Sequence, residues 1–133
     1  MKIIPFRIPK SGQEAVRVQV DTGPHFYPNL HRHPEVQITL IAQGEGVLVA
    51  NNYVGNFACG DVFVLGRELA HVFRSDKKYF AADSELEVLG ISLFFDEKYF
   101  GDHFWNLNEM EAVRRLVREA AGGLKITGPS QTA

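Results

Sequence analysis

The sequence predicts a mostly-β domain, a sandwich or small barrel, followed by one amphipathic α-helix. Three observations predict it. Short apolar runs rich in Val, Ile, Leu and Phe recur from Ala15 to Phe95 with Gly, Asn or Asp turn signals between them, at the spacing of about 8–12 residues that marks all-β folds. Several of these runs alternate apolar and polar residues, the period of a strand with one face covered. Near the C-terminus the period changes to that of a helix.

The chain has 133 residues, 45% hydrophobic and 23% charged, with a net charge of -2. That is one domain of ordinary size with enough apolar material for a core. The charge gives no electrostatic footprint for nucleic acid or an anionic membrane. The single cysteine, Cys59, excludes an internal disulfide and fits a reducing compartment. No run approaches the roughly 20 apolar residues of a membrane span, and Met1–Arg7 lacks the apolar stretch of a signal peptide. The cytoplasm is the expected location.

Taken in order, residues 1–9 read as a short extended arm with Pro5 and Pro9. Ala15–Val20 sets Val16, Val18 and Val20 against Arg17 and Gln19, the pattern of a half-buried strand. Asp21-Thr22-Gly23-Pro24 reads as a turn. An aromatic connector, His25–Leu30, leads to the most informative stretch, His31–Gly46. If extended throughout, it aligns His31, His33 and Gln37 in one polar row, with Val36, Ile38 and Leu40 on the other face. Gln37–Ala42 is expected as a strand, Gly44-Glu45-Gly46 as a turn, Val47–Ala50 as a strand and Asn51-Asn52 as a tight turn. Tyr53–Phe57 and Val62–Leu65 follow as strands, Val72-Phe73 as the start of another, Arg74–Asp83 as a surface loop and Glu85–Phe95 as a long β segment. Asp96–Leu107 is aromatic-rich and reads as irregular or partly helical. Asn108 with Glu111 has the form of a capping box. Met110, Val113, Leu116, Val117 and Ala120 then mark a helix over Glu109–Ala121, stopped by Gly122. Glu109 and Glu111 at its start and Arg114, Arg115 and Arg118 further on suit the helix dipole. The small polar tail, residues 127–133, reads as a linker.

The residues able to carry chemistry are few. Neutral imidazole is the commonest side-chain metal ligand. His31 and His33 are spaced as a strand pair, and a third histidine, His71, could reach them from a neighbouring strand. Gln37 would add a neutral oxygen, a weaker ligand than a carboxylate. The competing reading makes these ordinary loop histidines bonded to backbone. The chain has no nucleophile elbow, Cys-x-x-Cys pair or phosphate loop. Aromatics such as Tyr53 and Phe73 belong to the core or line a pocket.

These motifs resemble the cupin family. His31-x-His33, Gln37 and Gly44 follow the spacing of its first motif. Gly60-Asp61-Val62-Phe63-Val64-Leu65 leading to His71 follows its second. The match departs at Gln37, where the family has Glu, at Gly66, where it has Pro, and at Glu68, where it has Gly. The resemblance is closer to the N-terminal, effector-binding cupin of AraC-type transcription regulators, through His31-Arg32-His33-Pro34-Glu35, the Phe57–Gly66 segment and the stretch from Asn108 to Gly128. It implies a cupin-type double-stranded β-helix over residues 1–107, a helical packing or dimerisation segment over 108–126, and a linker over 127–133 toward helix-turn-helix units outside this chain.

The function implied is ligand sensing. A small polar effector, a sugar being the family's example, would bind in an arabinose-binding-like barrel of a homodimer, with no membrane partner. DNA would be reached through the further domain alone. His31, His33, Gln37, His71, Tyr53 and Phe73 would form the pocket. No cofactor would be required, although His31, His33, Gln37 and His71 could hold a divalent Zn, Ni, Fe or Mn. The alternatives are a small metal-dependent cupin isomerase or oxygenase, or a dimerisation module with a vestigial pocket.

Overall fold

A computed structural model describes residues 3–5, 14–51 and 53–127. The rest of the expected arm, Asn52 of the expected tight turn, and the linker-like residues 128–133 lie outside them.

Two five-stranded sheets face one another as a cupin-type barrel. The strands are β1 (Ile4–Pro5), β2 (Val16–Gly23), β3 (His31–Arg32), β4 (Val36–Gln43), β5 (Gly46–Ala50), β6 (Tyr53–Phe57), β7 (Val62–Leu65), β8 (His71–Ser75), β9 (Val88–Phe95) and β10 (Leu124–Ile126). One sheet has the order β1-β3-β8-β5-β6 and the other β10-β7-β4-β9-β2. Every pairing is antiparallel except that of β1 with β3.

The polar row expected on one continuous strand is built differently. β3 ends at Arg32, His33–Glu35 bends, and β4 begins at Val36. Pro34 lacks the N–H that a continuing ladder needs. The chain therefore crosses from one sheet to the other between His31 and Gln37, and both side chains still turn inward.

The barrel interior is packed by Phe26, Ile41, Leu48, Phe57, Phe63, Leu65, Phe73, Tyr79 and Val88, among others. Edge-on contacts join Phe57, Phe63 and Phe73 at centroid separations of 5.4 and 5.7 Å, a geometry the aromatic quadrupole favours. Tyr79 corrects the expectation of a plain surface loop at Arg74–Asp83. It is buried by a 3-10 turn over Lys77–Phe80. The first residue of β5 must be glycine, because a Cβ on Gly46 would run into the Arg74 carbonyl oxygen of β8.

Outside the barrel, α1 (Gly101–Trp105) and α2 (Glu111–Glu119) meet the β4-containing sheet, α1 by stacking Trp105 on Phe95 and α2 through Val117. The expected capping box does not form. Asn108–Met110 is a 3-10 turn, and α2 starts without a side-chain cap. Arg114 orders the junction instead, donating to the Trp105 and Leu107 carbonyls. The helical stop lies one residue beyond the expected Gly122, at Gly123 with φ +82°. Val117 and Ala120 pack on Val36, Ile38, Val64 and Phe95. Gly66 N–H donates to the Ala120 carbonyl at 2.8 Å. The chain then returns to the sheet as β10, paired with β7.

Candidate functional site

Each histidine is placed by a different local cause. His31 and His71 lie directly opposite in the β3–β8 pair, so their rings sit 4.5 Å apart. His33 follows on the bend, its ring 5.2 Å from His71. Gln37 enters from β4 in the opposing sheet. One ring nitrogen from each of His31, His33 and His71 lies within 4.8 Å of the others. Convergence of the three, expected from spacing, is thus what the fold produces.

Backbone carbonyls set the protonation pattern. His31 Nδ1 faces the Asn29 oxygen at 2.8 Å, His33 Nδ1 faces Glu35 at 3.0 Å, and His71 Nδ1 faces Leu69 at 2.8 Å. A carbonyl only accepts, so each Nδ1 carries the hydrogen, and a neutral ring keeps its lone pair on Nε2. Burial, with His31 and His33 nearby, pushes the His71 pKa down to about 3. Burial also lowers that of His31, opposed by its bond to Asn29. Both rings are neutral near pH 7.

Gln37 joins the cluster to a polar chain across the barrel. Its Oε1 lies 2.9 Å from His33 Nε2 and 3.1 Å from His71 Nε2, and its Nε2 donates to Thr39 Oγ1 at 2.7 Å. Thr39 meets Ser92 Oγ at 2.8 Å. With neutral rings this orientation gathers lone pairs from two imidazoles and an amide oxygen, a donor set that fits a cation. A half-turn of the amide would present its two N–H groups to the imidazoles and its oxygen to the Thr39 hydroxyl, closing the network without an ion. Glu35, buried beside the cluster, places Oε1 3.6 Å from His33 Nδ1, beyond hydrogen-bond range, while its backbone carbonyl takes the Nδ1–H.

The cluster forms the floor of a cavity of about 280 Å³. Phe73 lines it, as expected. Tyr53 does not. It sits on β6, 38% exposed, with its hydroxyl folded against Gly55. Further lining comes from residues not singled out from the sequence, Gln19, Asp21 and Thr22 of β2 with His25 of the connector, and from Phe26 and Tyr27, aromatics expected in the core or a pocket, while Val88 and Phe94 add apolar wall. Asp21 and Thr22, expected in a turn, are strand residues paired with Gly90 and Leu89. The signal that could have found Gln19 and Asp21 is the polar half of the β2 alternation. His25 stacks on Phe80 at 4.5 Å. His103 is exposed on α1, away from the cavity.

No protein-family model matches the sequence, and no curated protein matches it. Among solved structures, the chain is similar to ToxT from Vibrio cholerae, with a TM-score of 0.50 and 13% identity over 86% of this chain. It spans 43% of that ToxT chain. A structure of ToxT bound to (E)-4-(8-methylnaphthalen-1-yl)but-3-enoic acid gives 0.49, 13% and 86%, again over 43% of ToxT. A Cupin 2 conserved barrel domain protein from Salinispora arenicola CNS-205 gives 0.48 at 17% identity, covering 69% of this chain and 73% of that one. What the chain shares with the first of these is the fold.

Proposed function

We propose that this chain is the ligand-sensing and dimerisation domain of an AraC-type transcription regulator, acting in the cytoplasm on a helix-turn-helix domain outside these residues. One observation carries the reading. β4 serves the cavity with one face and the helical segment with the other: Gln37 and Thr39 face inward, while Val36 and Ile38 pack against Val117 and Ala120. A ligand that draws on Gln37 therefore acts on the strand under α2, and differential affinity for two placements of that strand would bias whatever α2 holds. The likeness to ToxT, a regulator of this type, supports the reading at the level of fold.

The cavity argues for a small, uncharged or cationic effector rich in hydroxyl or amine groups. Its volume is at the small end for ligand pockets. Among the described residues, Asp21 is its one side chain with a fixed charge, and no Lys or Arg lines it. Within one copy, the described lining offers an acid such as the one bound by ToxT no Lys or Arg. Thermal-shift titration with sugars, polyols and small amines against short and long carboxylic acids tests this, because a ligand of the folded state raises apparent stability. The expected result is a shift with a neutral or cationic class that Gln37→Leu abolishes. Stabilisation by carboxylic acids alone would overturn it.

The histidine cluster favours a second reading, a metal-dependent cupin enzyme. His31, His33 and His71, with Gln37 as a neutral fourth ligand, would hold a divalent Zn, Ni, Fe or Mn. The ion would supply Lewis-acid or oxygen-activating chemistry. The chain's own part would be to hold the rings by their Nδ1–H bonds and to wall out water with Phe73 and Phe94. Metal analysis of the purified protein separates the readings. The enzyme reading fails if no stoichiometric metal is found and His33→Ala leaves effector binding intact.

A further inference from the structure

β2 is the outermost strand of its sheet, bonded to β9 along one side and to no described strand along the other. It is eight residues long and has neither the proline nor the lysine that commonly blunts a free edge. Its outward residues are apolar: Val16, Val18 and Val20 are 39%, 61% and 56% exposed. They continue into exposed Ile91 and Leu40 on the neighbouring strands, since Val20 pairs with Ile91 and Ile91 with Leu40. On its other face Arg17 and Gln19 are partly covered and Asp21 is exposed, and Arg17 and Asp21 carry opposite charges at the two ends of the run. Arg17 reaches Glu14 only at 3.7 Å, and its buried Nε has no hydrogen-bond partner among the described residues.

We infer that this edge pairs antiparallel with the same edge of a second copy, about a two-fold axis at Gln19. Only alternate residues turn their N–H and C=O groups toward a free edge, so a self-pair must match residues of like parity. That leaves few registers. An axis at Arg17 or at Asp21 would set like charges face to face, and an axis at Val18 or Val20 would leave both charges without an opposite partner. An axis at Gln19 sets Arg17 of each copy against Asp21 of the other, twice, and Val18 against Val20, twice. Opposite charges directly across strands stabilise a pair and like charges destabilise it. The valine rows then merge into one apolar face across the dimer, an isologous arrangement.

The register has a consequence for the cavity. Gln19 donates to Asp21 at 3.0 Å, and both line the cavity mouth. In the dimer, each mouth is bordered by Arg17 of the other copy. An effector that bonds Asp21 competes with that arginine, so effector affinity and dimer affinity are reciprocally linked.

The inference rests on the dimer of the reading above, and its readout is assembly state, whereas effector binding is read by thermal shift, so the two can fail separately. Sedimentation of the full chain is expected to show a dimer. Arg17→Asp and Asp21→Arg should each raise its Kd about tenfold or more, and the double swap should return it toward the wild-type value. In a Cys59→Ser background, Gln19→Cys should form a disulfide-linked dimer under mild oxidation, and Val16→Cys, which faces Thr22, should not. Three results would overturn the inference: a monomer at every concentration, a dimer indifferent to both charge reversals, or a monomer that dimerises only after removal of residues 1–13.

Discussion

Acid is the sharpest probe of the histidine cluster. His71 is 1% exposed, its Nδ1–H is fixed on the Leu69 carbonyl, and its pKa is pushed down to about 3 by burial and by His31 and His33. In the unfolded chain it titrates near 6.5. Above pH 6.5 both states hold a neutral ring, and this group makes stability independent of pH. Below 6.5 the unfolded state takes up a proton that the native state refuses until about pH 3, so stability falls with pH across that window. The slope is at most about 1.4 kcal/mol per pH unit. Between pH 6.5 and 4.5 the loss approaches about 2–3 kcal/mol, and its ceiling near pH 3 is about 5 kcal/mol, comparable to the whole stability of many domains. His31, also lowered by burial, adds in the same direction. The assay is urea unfolding at closely spaced pH values in the presence of a chelator, comparing wild type with His71→Gln. The variant should lose most of the slope between pH 6.5 and 4.5. Equal slopes in the two proteins would refute the argument.

Other perturbations follow from the same geometry. Gln37→Glu puts an anionic oxygen about where Oε1 now stands, 2.9 and 3.1 Å from two imidazoles. It should raise Zn²⁺ affinity by about tenfold to a hundredfold in a competition titration, as a carboxylate is the better ligand; unchanged affinity would remove the cluster as a metal site. The same variant should flatten the acid slope, because a nearby negative charge favours the imidazolium. Gly66→Ala places a Cβ 2.8 Å from the Ala120 carbonyl oxygen, where backbone must move. It should cost about 1–3 kcal/mol by denaturant unfolding and speed amide exchange in α2 before the barrel strands. Ser92→Ala removes the end of the Gln37–Thr39–Ser92 chain and should cost about 1 kcal/mol, with a weaker effector-induced thermal shift.

The sequence by itself determined the strand and helix pattern, because side-chain period and turn chemistry act over a few residues. It also determined which four polar side chains meet, because the spacings His31-x-His33, Gln37 and Gly60–His71 resemble a barrel signature. Tertiary structure decided the rest. Alternation in Val16–Asp21 shows that β2 has two faces but not which faces in. Here the valines stand outside and Gln19 and Asp21 line the cavity. Tyr53 looked like a pocket residue by type, yet β6 is the edge strand of the sheet that carries His31 and His71, and its hydroxyl folds against Gly55 and not into the cavity. Asn108 had the sequence of a cap, but the chain enters α2 through a 3-10 turn that Arg114 organises from the next helical turn. In each case the deciding quantity was which surfaces meet across the barrel, a long-range property that no local window of sequence contains.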